Sequence, residues 1–119
     1  MATTNGAQVS DPDIHAIRYK WLAIPNGNQG NAVSLNTFQD RTVQVFGTFG
    51  AAGSVTIQGS NDGGTTWATL TDPLGNALTF TAAGMKPIGM LSHQTRPSVT
   101  AGDGTTAISV WLHARGGNK

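Results

Sequence analysis

The stretch at residues 41–70, RTVQVFGTFGAAGSVTIQGSNDGGTTWATL, decides how this chain folds. In its first arm, Val43 and Val45 begin a period-two alternation of apolar and polar residues, which predicts a β-strand. The same alternation recurs at residues 54–59, and the turn sequence NDGG then leads into a third segment that carries Trp67. We therefore expect three consecutive antiparallel strands, with the second strand returning along the first.

A three-stranded meander with one apolar face is not stable in water, so the flanking segments must supply a second layer. Residues 14–24 fit a strand at a sheet edge with Trp21 inward, and a short helix there is disfavoured by its aromatic and β-branched residues. Pro97 confines the strand around it to an edge or a bulge. The last strand, at 105–115, points Trp111 and His113 outward.

Eight or nine short strands with turn signals between them, and no amphipathic helix pattern, predict an all-β protein. The predicted architecture is an antiparallel β-sandwich of about eight strands in a single domain. Strand spacing leaves two topologies open, jelly-roll and immunoglobulin-like. The predicted boundaries are a flexible N-terminal arm at residues 1–13 without core contacts, the sandwich at 14–115 and a frayed tail at 116–119.

Charged residues make up 11% of the chain, and none of them is glutamate. Ordinary soluble domains contain about 25% charged residues. The exterior must therefore be built from Thr, Ser, Asn, Gln and Gly. When a partner docks on such a surface, few ionised groups lose their hydration. The net charge of +1, without a cluster of Lys or Arg, argues against a nucleic-acid partner.

No catalytic residue and no cofactor is predicted. The chain has no cysteine, which excludes thiolate metal sites, cysteine nucleophiles and disulfides. The histidines His15, His93 and His113 lack the spacing of a metal site, and the six aspartates nearly all adjoin turn residues. No run of about 18 apolar residues is present, so a membrane span is not expected, and no signal peptide is visible.

The segment SNDGGTTW at residues 60–67 matches the Asp-box pattern S-x-D-x-G-x-x-W. It also resembles the SNDG-TW hairpin of discoidin-type carbohydrate-binding modules. The residue types serve a turn, because a carboxylate accepts backbone N–H groups and glycine supplies positive φ. We interpret Ser60, Asp62, Gly64 and Trp67 as a structural turn.

The outward aromatic of the last strand is the better candidate for a partner interface. Indole and imidazole groups on an outer sheet face are common anchors for a protein or a sugar ring. An N-terminal arm that orders on a neighbour brings its own residues to the same contact. We therefore predict a partner interface that includes Trp111, His113, Val9 and Asp11.

Two runs, GSVTIQGSNDGGTTWATLTDPLGNALTFTAAGMKPIG and RPSVTAGDGTTAISVWLHAR, resemble small virion proteins of tailed bacteriophages, of the capsid decoration or cement type. The resemblance covers residues 53–115, about half of the chain. It implies a non-catalytic sandwich, often trimeric, that lies over junctions between major capsid subunits in a virion assembled in the host cytoplasm. A tail, neck or fibre component and a carbohydrate-binding module are the alternative hypotheses.

Overall fold

The structure is a computed structural model. It describes residues 3–4, 6–9, 16–34 and 39–116. Eleven strands and no helix lie in these ranges, which confirms the all-β prediction. The strands are β1 (Thr3–Thr4), β2 (Ala7–Val9), β3 (Ala16–Ile24), β4 (Gln29–Gly30), β5 (Asp40–Thr48), β6 (Ser54–Ser60), β7 (Ala68–Thr69), β8 (Thr79–Phe80), β9 (Gly84–Ile88), β10 (Gln94–Ala101) and β11 (Ala107–Arg115).

The strands form two sheets that pack face to face. Sheet I has the order β1-β4-β10-β6-β7. The short strand β8 also pairs with β6, at other residues than β7 does. Sheet II has the order β2-β3-β11-β5-β9. Every pair is antiparallel except β1 with β4. The antiparallel sandwich is thus confirmed, with more strands than expected because several contain only two or three residues.

The predicted meander at residues 41–70 is correct in its buried faces and in the antiparallel pairing of its second strand with its third, and it is wrong in the pairing of its first two strands. Val43 and Val45 on β5, and Val55 and Ile57 on β6, are all buried as predicted. However, β5 pairs with β9 and β11 in sheet II, whereas β6 pairs with β7, β8 and β10 in sheet I. The two strands therefore do not form a hairpin. Period-two alternation identifies the buried face of a strand but not the strand that lies beside it.

The hydrophobic core lies between the two sheets. Both sheets contribute to it from the inward face of each long strand, as the alternation requires. Its buried members are Trp21, Ile24, Val33, Val43, Val45, Val55, Ile57, Leu70, Leu78, Phe80, Ile88, Val99, Ile108, Val110, Leu112 and Ala114.

The N-terminal segment differs from the arm without core contacts that its composition predicts. β1 pairs with β4, and β2 pairs with β3, so described residues of the segment belong to both sheets. Gly6 lies against the ring of Trp21, which is 1% exposed, and its N–H donates to Asn31 Oδ1. The Trp21 Nε1–H donates to the same oxygen at 3.0 Å. As a result β3 is an inner strand, and β2 is the edge of sheet II.

Pro97 lies in β10, which is an inner strand rather than an edge. The opposite residue on β6, Ile57, turns its hydrogen-bonding groups away from β10: its N–H donates to Leu78 O and its C=O accepts from Leu70 N, both at 2.9 Å. Pro97 therefore occupies a non-hydrogen-bonded pair, where its missing N–H removes no bond to β6. The register shift of this strand lies between Val99 and Ala101, so the prediction of an edge or a bulge is wrong at Pro97 itself.

Candidate functional site

The turn at residues 60–67 is held by its own side chains. Ser60 Oγ donates to Asp62 Oδ1 at 2.7 Å and accepts the N–H of Gly64 at 3.0 Å. Asp62 Oδ1 also accepts the N–H of Thr65 at 3.1 Å and of Thr66 at 2.9 Å. These bonds to its charged form hold the pKa of Asp62 down to about 2. The carboxylate thus closes the turn through Oδ1.

Trp67 is fixed against the outer face of sheet I. Its Nε1–H donates to Gly64 O at 3.0 Å, which ties the indole to the turn. The Arg96 guanidinium carbon lies 4.0 Å from the ring centroid, and Arg96 Nε donates to Gln58 Oε1 at 2.9 Å. The indole N–H and the Arg96 Nε–H thus both have partners within the chain, and the guanidinium also contacts the indole ring. Partial burial lowers the pKa of Arg96.

Two other aspartates have the same structural use. Asp103 accepts the N–H of Thr105 through Oδ1 and that of Ala51 through Oδ2, both at 2.8 Å, and these bonds together with the Thr105 hydroxyl lower its pKa to about 2. Asp72 accepts the N–H groups of Leu74 and Asn76, both at 2.9 Å, and its pKa is also lowered. These carboxylates join loops rather than provide acid or base groups for chemistry.

The outer face of sheet II is different, and we call it the Trp111 face. The register places Trp111 opposite Lys20 on β3 and opposite Gln44 on β5, and Gln44 opposite Met85 on β9. His113 lies in the adjacent row. The face comprises Arg18, Lys20, Leu22, Thr42, Gln44, Phe46, Met85, Trp111 and His113.

Large apolar side chains on this face are open to solvent. Met85 is 59% exposed, Leu22 is 50% exposed and Phe46 is 39% exposed. Trp111 is half-buried, and beside it lies a groove of about 370 Å³ whose lining includes Met85 and His113. Single exposed apolar residues are normal on a soluble protein, whereas several on one sheet face mark an interaction surface.

The charges on the Trp111 face are mainly positive. The Lys20 ammonium lies 5.6 Å from the Trp111 ring centroid, and the Arg18 guanidinium carbon lies 6.0 Å from it. Among the described residues of the five strands, Asp40 is the one acidic side chain, and its carboxylate lies 3.8 Å from the Arg115 guanidinium. Basic groups around a half-buried indole favour a ligand that carries negative charge.

The four predicted interface residues are not all brought together by the described structure. Trp111 and His113 share the Trp111 face, and both line the groove. The backbone of Val9 pairs with that of Arg18 at the sheet edge, and nothing is described of the Val9 side chain. Asp11 lies outside the described residues. The interface containing these four residues stays a prediction.

Sequence reasoning named only part of the Trp111 face. The alternation of β3 and β5 already placed Leu22 and Phe46 on the polar side of their strands, and an apolar residue at such a position is a usable signal. Met85 on β9 had no comparable signal in the residues around it. Its place beside Gln44 depends on a pairing that joins distant parts of the chain.

A second depression, also of about 370 Å³, lies beside the Ser60 turn, where Met90 and Leu91 form one wall. Across the described ranges, no three His, Cys, Asp or Glu residues are grouped as they would be to hold a metal ion. The described part of the chain also contains no helix long and apolar enough to cross a membrane.

Comparison with known proteins supports the fold. No protein-family model matches the chain, and no curated protein matches its sequence. Among solved structures, it is similar to the SPBc2 prophage-derived protein YomS, with a TM-score of 0.60 at 10% identity over 88% of this chain and 98% of that chain. This likeness shows a shared fold.

Two further solved structures are less similar. Protein NMB1881 from Neisseria meningitidis has a TM-score of 0.43 at 10% identity, covering 92% of this chain and 82% of that chain. KdgF from Halomonas sp. has a TM-score of 0.41 at 13% identity, covering 95% of this chain and 79% of that chain. Both scores are too low to support an argument about this protein.

Proposed function

We propose that this chain is a non-catalytic structural protein of a tailed-bacteriophage particle, and specifically a capsid decoration protein. Its partner is the major capsid protein, and it docks through the Trp111 face as part of a homo-oligomer, with a trimer favoured. Its location is the outer surface of the virion head, reached by assembly in the host cytoplasm.

The Trp111 face is the observation on which the proposal depends. A monomer in solution gains nothing from exposing Leu22, Phe46 and Met85 around a half-buried indole, whereas a docked protein removes this apolar surface from water. The low charge of the chain acts in the same direction, because few ionised groups lose hydration on docking.

The likeness to YomS supports the phage part of the proposal. That protein is prophage-derived, and the shared fold extends over most of both chains. At 10% identity the comparison does not transfer a role, so head decoration rests on the resemblance of residues 53–115 and on the Trp111 face.

The proposed mechanism is passive stabilisation. Each docked copy adds buried area between neighbouring capsid subunits, and each contact is modest. A symmetric shell repeats that contact many times, so the gain in stability of the particle is cumulative. The turns closed by Asp62, Asp72 and Asp103 suit this role, since a preorganised surface has little left to order on docking.

Co-sedimentation with undecorated heads of the phage that carries the gene tests this function. The wild-type chain is expected to bind saturably. Trp111→Ala is expected to weaken binding by about thirtyfold, as for a central interface aromatic. The matched control is Leu74→Ala, which removes a side chain that is 86% exposed on a turn outside both sheets, and its binding is expected to change by less than about twofold.

Absence of wild-type binding at any ratio would contradict the decoration role. Binding to isolated tails in place of heads would move the protein to the tail, neck or fibre. Equal loss of binding for Trp111→Ala and Leu74→Ala would show that docking uses another surface.

A further inference from the structure

The charges described on the two outer faces of the sandwich are handled differently. On sheet I, Arg96 is stacked on Trp67 and bonded to Gln58. On sheet II, the Lys20 ammonium lies 5.6 Å from the centroid of the Trp111 ring. Among the described residues, this is the one interaction of the Lys20 side chain. Lys20 is therefore a cation held in place by an aromatic ring but not neutralised by a described carboxylate.

The groove on the Trp111 face is lined by apolar and neutral polar groups together with Arg18, and Lys20 lies on the other side of the indole from Met85. Trp111 and Met85 form apolar walls, while Thr42 and Gln44 supply a hydroxyl and an amide between them. A volume of about 370 Å³ accepts one or two side chains rather than a large molecule. Four neighbouring strands span about 14 Å, enough for a few residues of extended chain.

We propose that the Trp111 face docks an acidic, extended segment of a partner protein. An aliphatic or aromatic side chain of that segment enters the groove between Trp111 and Met85, and its flanking carboxylates pair with Lys20 and His113. The inference rests on the proposed function for the identity of the partner, a capsid protein, and adds the chemistry of the partner's contact segment.

Charge selects this occupant over a second copy of the chain. A face-to-face dimer would bring the basic groups of one copy, Lys20 and Arg18, close to those of the other. Within the described strands of sheet II, the one acidic side chain, Asp40, already lies beside Arg115. Like charges placed opposite one another oppose association, whereas carboxylates from a different protein favour it.

Ring access selects a peptide over a sugar. A sugar ring binds an indole by stacking on its face, and here cationic groups of Lys20 and Arg18 lie over the Trp111 ring. A sugar that stacks on this side of the ring would need to displace them. A side chain that enters the groove on the β5 and β9 side of the indole leaves both cations in position, where they strengthen the contact with a carboxylate.

The test is an NMR titration of the ¹⁵N-labelled full chain with short synthetic peptides. The probe peptide is rich in Asp and Glu around a central Leu, and the control peptide replaces every Asp and Glu with Asn and Gln. The three indole N–H signals are assigned by single Trp→Phe variants. The acidic peptide is expected to shift the Trp111 signal and to leave those of Trp21 and Trp67 unchanged.

Charge dependence gives the second readout. Raising the salt concentration is expected to weaken the affinity for the acidic peptide by about fivefold, because exposed charges are screened. The Lys20→Gln substitution is expected to weaken the affinity for the acidic peptide by about threefold. Lys86→Gln is the matched control, since Lys86 lies beside Met85 in sequence but over the Phe80 ring at 5.5 Å, and it should leave the affinity unchanged.

Three results would overturn the acidic-segment inference: a Trp111 signal that does not move, equal affinity for the neutral peptide, or equal affinity of Lys20→Gln and wild type. A Trp111 shift caused by an anionic polysaccharide but by neither peptide would overturn it in favour of a glycan. The titration uses no phage particle, so peptide binding without head binding contradicts only the decoration role. Head binding without peptide binding contradicts only this inference.

Discussion

The two outer faces of the sandwich each carry a tryptophan next to a basic side chain, and they use this pair in opposite ways. On sheet I, Trp67 donates its N–H to Gly64 O, and its cation Arg96 donates to Gln58. On sheet II, the Trp111 ring donates no hydrogen bond to any residue that the structure describes, and exposed apolar residues surround it. The same residue types therefore form a structural cluster in one place and an open surface in the other.

The difference shows which observation identifies a binding surface. An outward indole is not sufficient, because Trp67 also lies on an outer face. What separates the two sites is whether the polar groups around the ring already satisfy one another. Trp67 is committed to the fold, whereas Trp111 is available to the partner that we propose.

Replacing each tryptophan separately tests the comparison most directly. Trp67→Ala is expected to lower the free energy of unfolding by about 2 to 3 kcal/mol, because it removes a packed indole, a hydrogen bond and a cation–π contact. Trp111→Ala is expected to lower it by less than about 1 kcal/mol, since that side chain supports little of the core. Urea denaturation of both variants measures the two losses.

The control for this pair is the slope of the denaturation curve, which should match that of the wild type in both variants. A larger loss for Trp111→Ala than for Trp67→Ala would break the comparison and make Trp111 a structural residue.

A change in the shared core sharpens the comparison, because it should affect both faces alike. A Cβ at Gly30 would lie 2.6 Å from the Trp21 ring and 2.8 Å from Pro97 Cδ, so Gly30→Ala is expected to cost about 1 to 2 kcal/mol. Gly104→Ala is the control, since nothing lies within 4 Å of its Cβ and its φ is not positive. Thermal melts of the two variants measure the difference.

If Gly30→Ala melts like Gly104→Ala, the packing of Trp21 between the sheets is looser than described. If Gly30→Ala shifts the indole N–H signal of Trp67 but not that of Trp111 in an NMR spectrum, the two faces do not share one rigid core.

The smallest expected effect is a pH response confined to the sheet I side. The pKa of Asp62 is about 2 in the folded chain against 3.8 for the free side chain, so its contribution to stability is complete above about pH 4. That contribution is lost as the pH falls toward 2, because the folded state must then accept a proton that the unfolded state already holds. The indole N–H signal of Trp67 is expected to shift in this window while that of Trp111 stays constant.

The Asp62→Asn variant provides the control, because its side chain still accepts N–H bonds but does not titrate. Its Trp67 signal should be constant over the same range. A pH-dependent shift that persists in Asp62→Asn would assign the response to another group.

The sequence predicted which face of each strand is buried better than it predicted which strands pair. Alternation placed Val43, Ile57 and Trp111 on the correct sides of their strands, because side-chain direction is a local property with period two. It did not predict that β5 and β6 lie in different sheets, since pairing depends on residues far along the chain. The N-terminal segment was misjudged for a similar reason: small polar residues such as Gly6 look unstructured until the ring of Trp21 is placed against them.

The candidate site divides in the same way. The Ser60–Trp67 turn was visible in sequence because its hydrogen bonds join residues within a few positions. The Trp111 face was visible only in part, because its outward residues lie on four strands. No alternation in one strand shows that Met85 and Lys20 lie on opposite sides of the same indole.

The position of β11 has a consequence for the order of events in synthesis. This strand is the last one described along the chain, yet it lies in the middle of sheet II between β3 and β5. The nascent polypeptide must therefore hold two separated strands without their common neighbour until residues 107–115 leave the ribosome. Sheet II is therefore completed only after residues 107–115 have been made, and a ribosome stalled before residue 107 would carry a chain that exposes the buried side of β3 and β5.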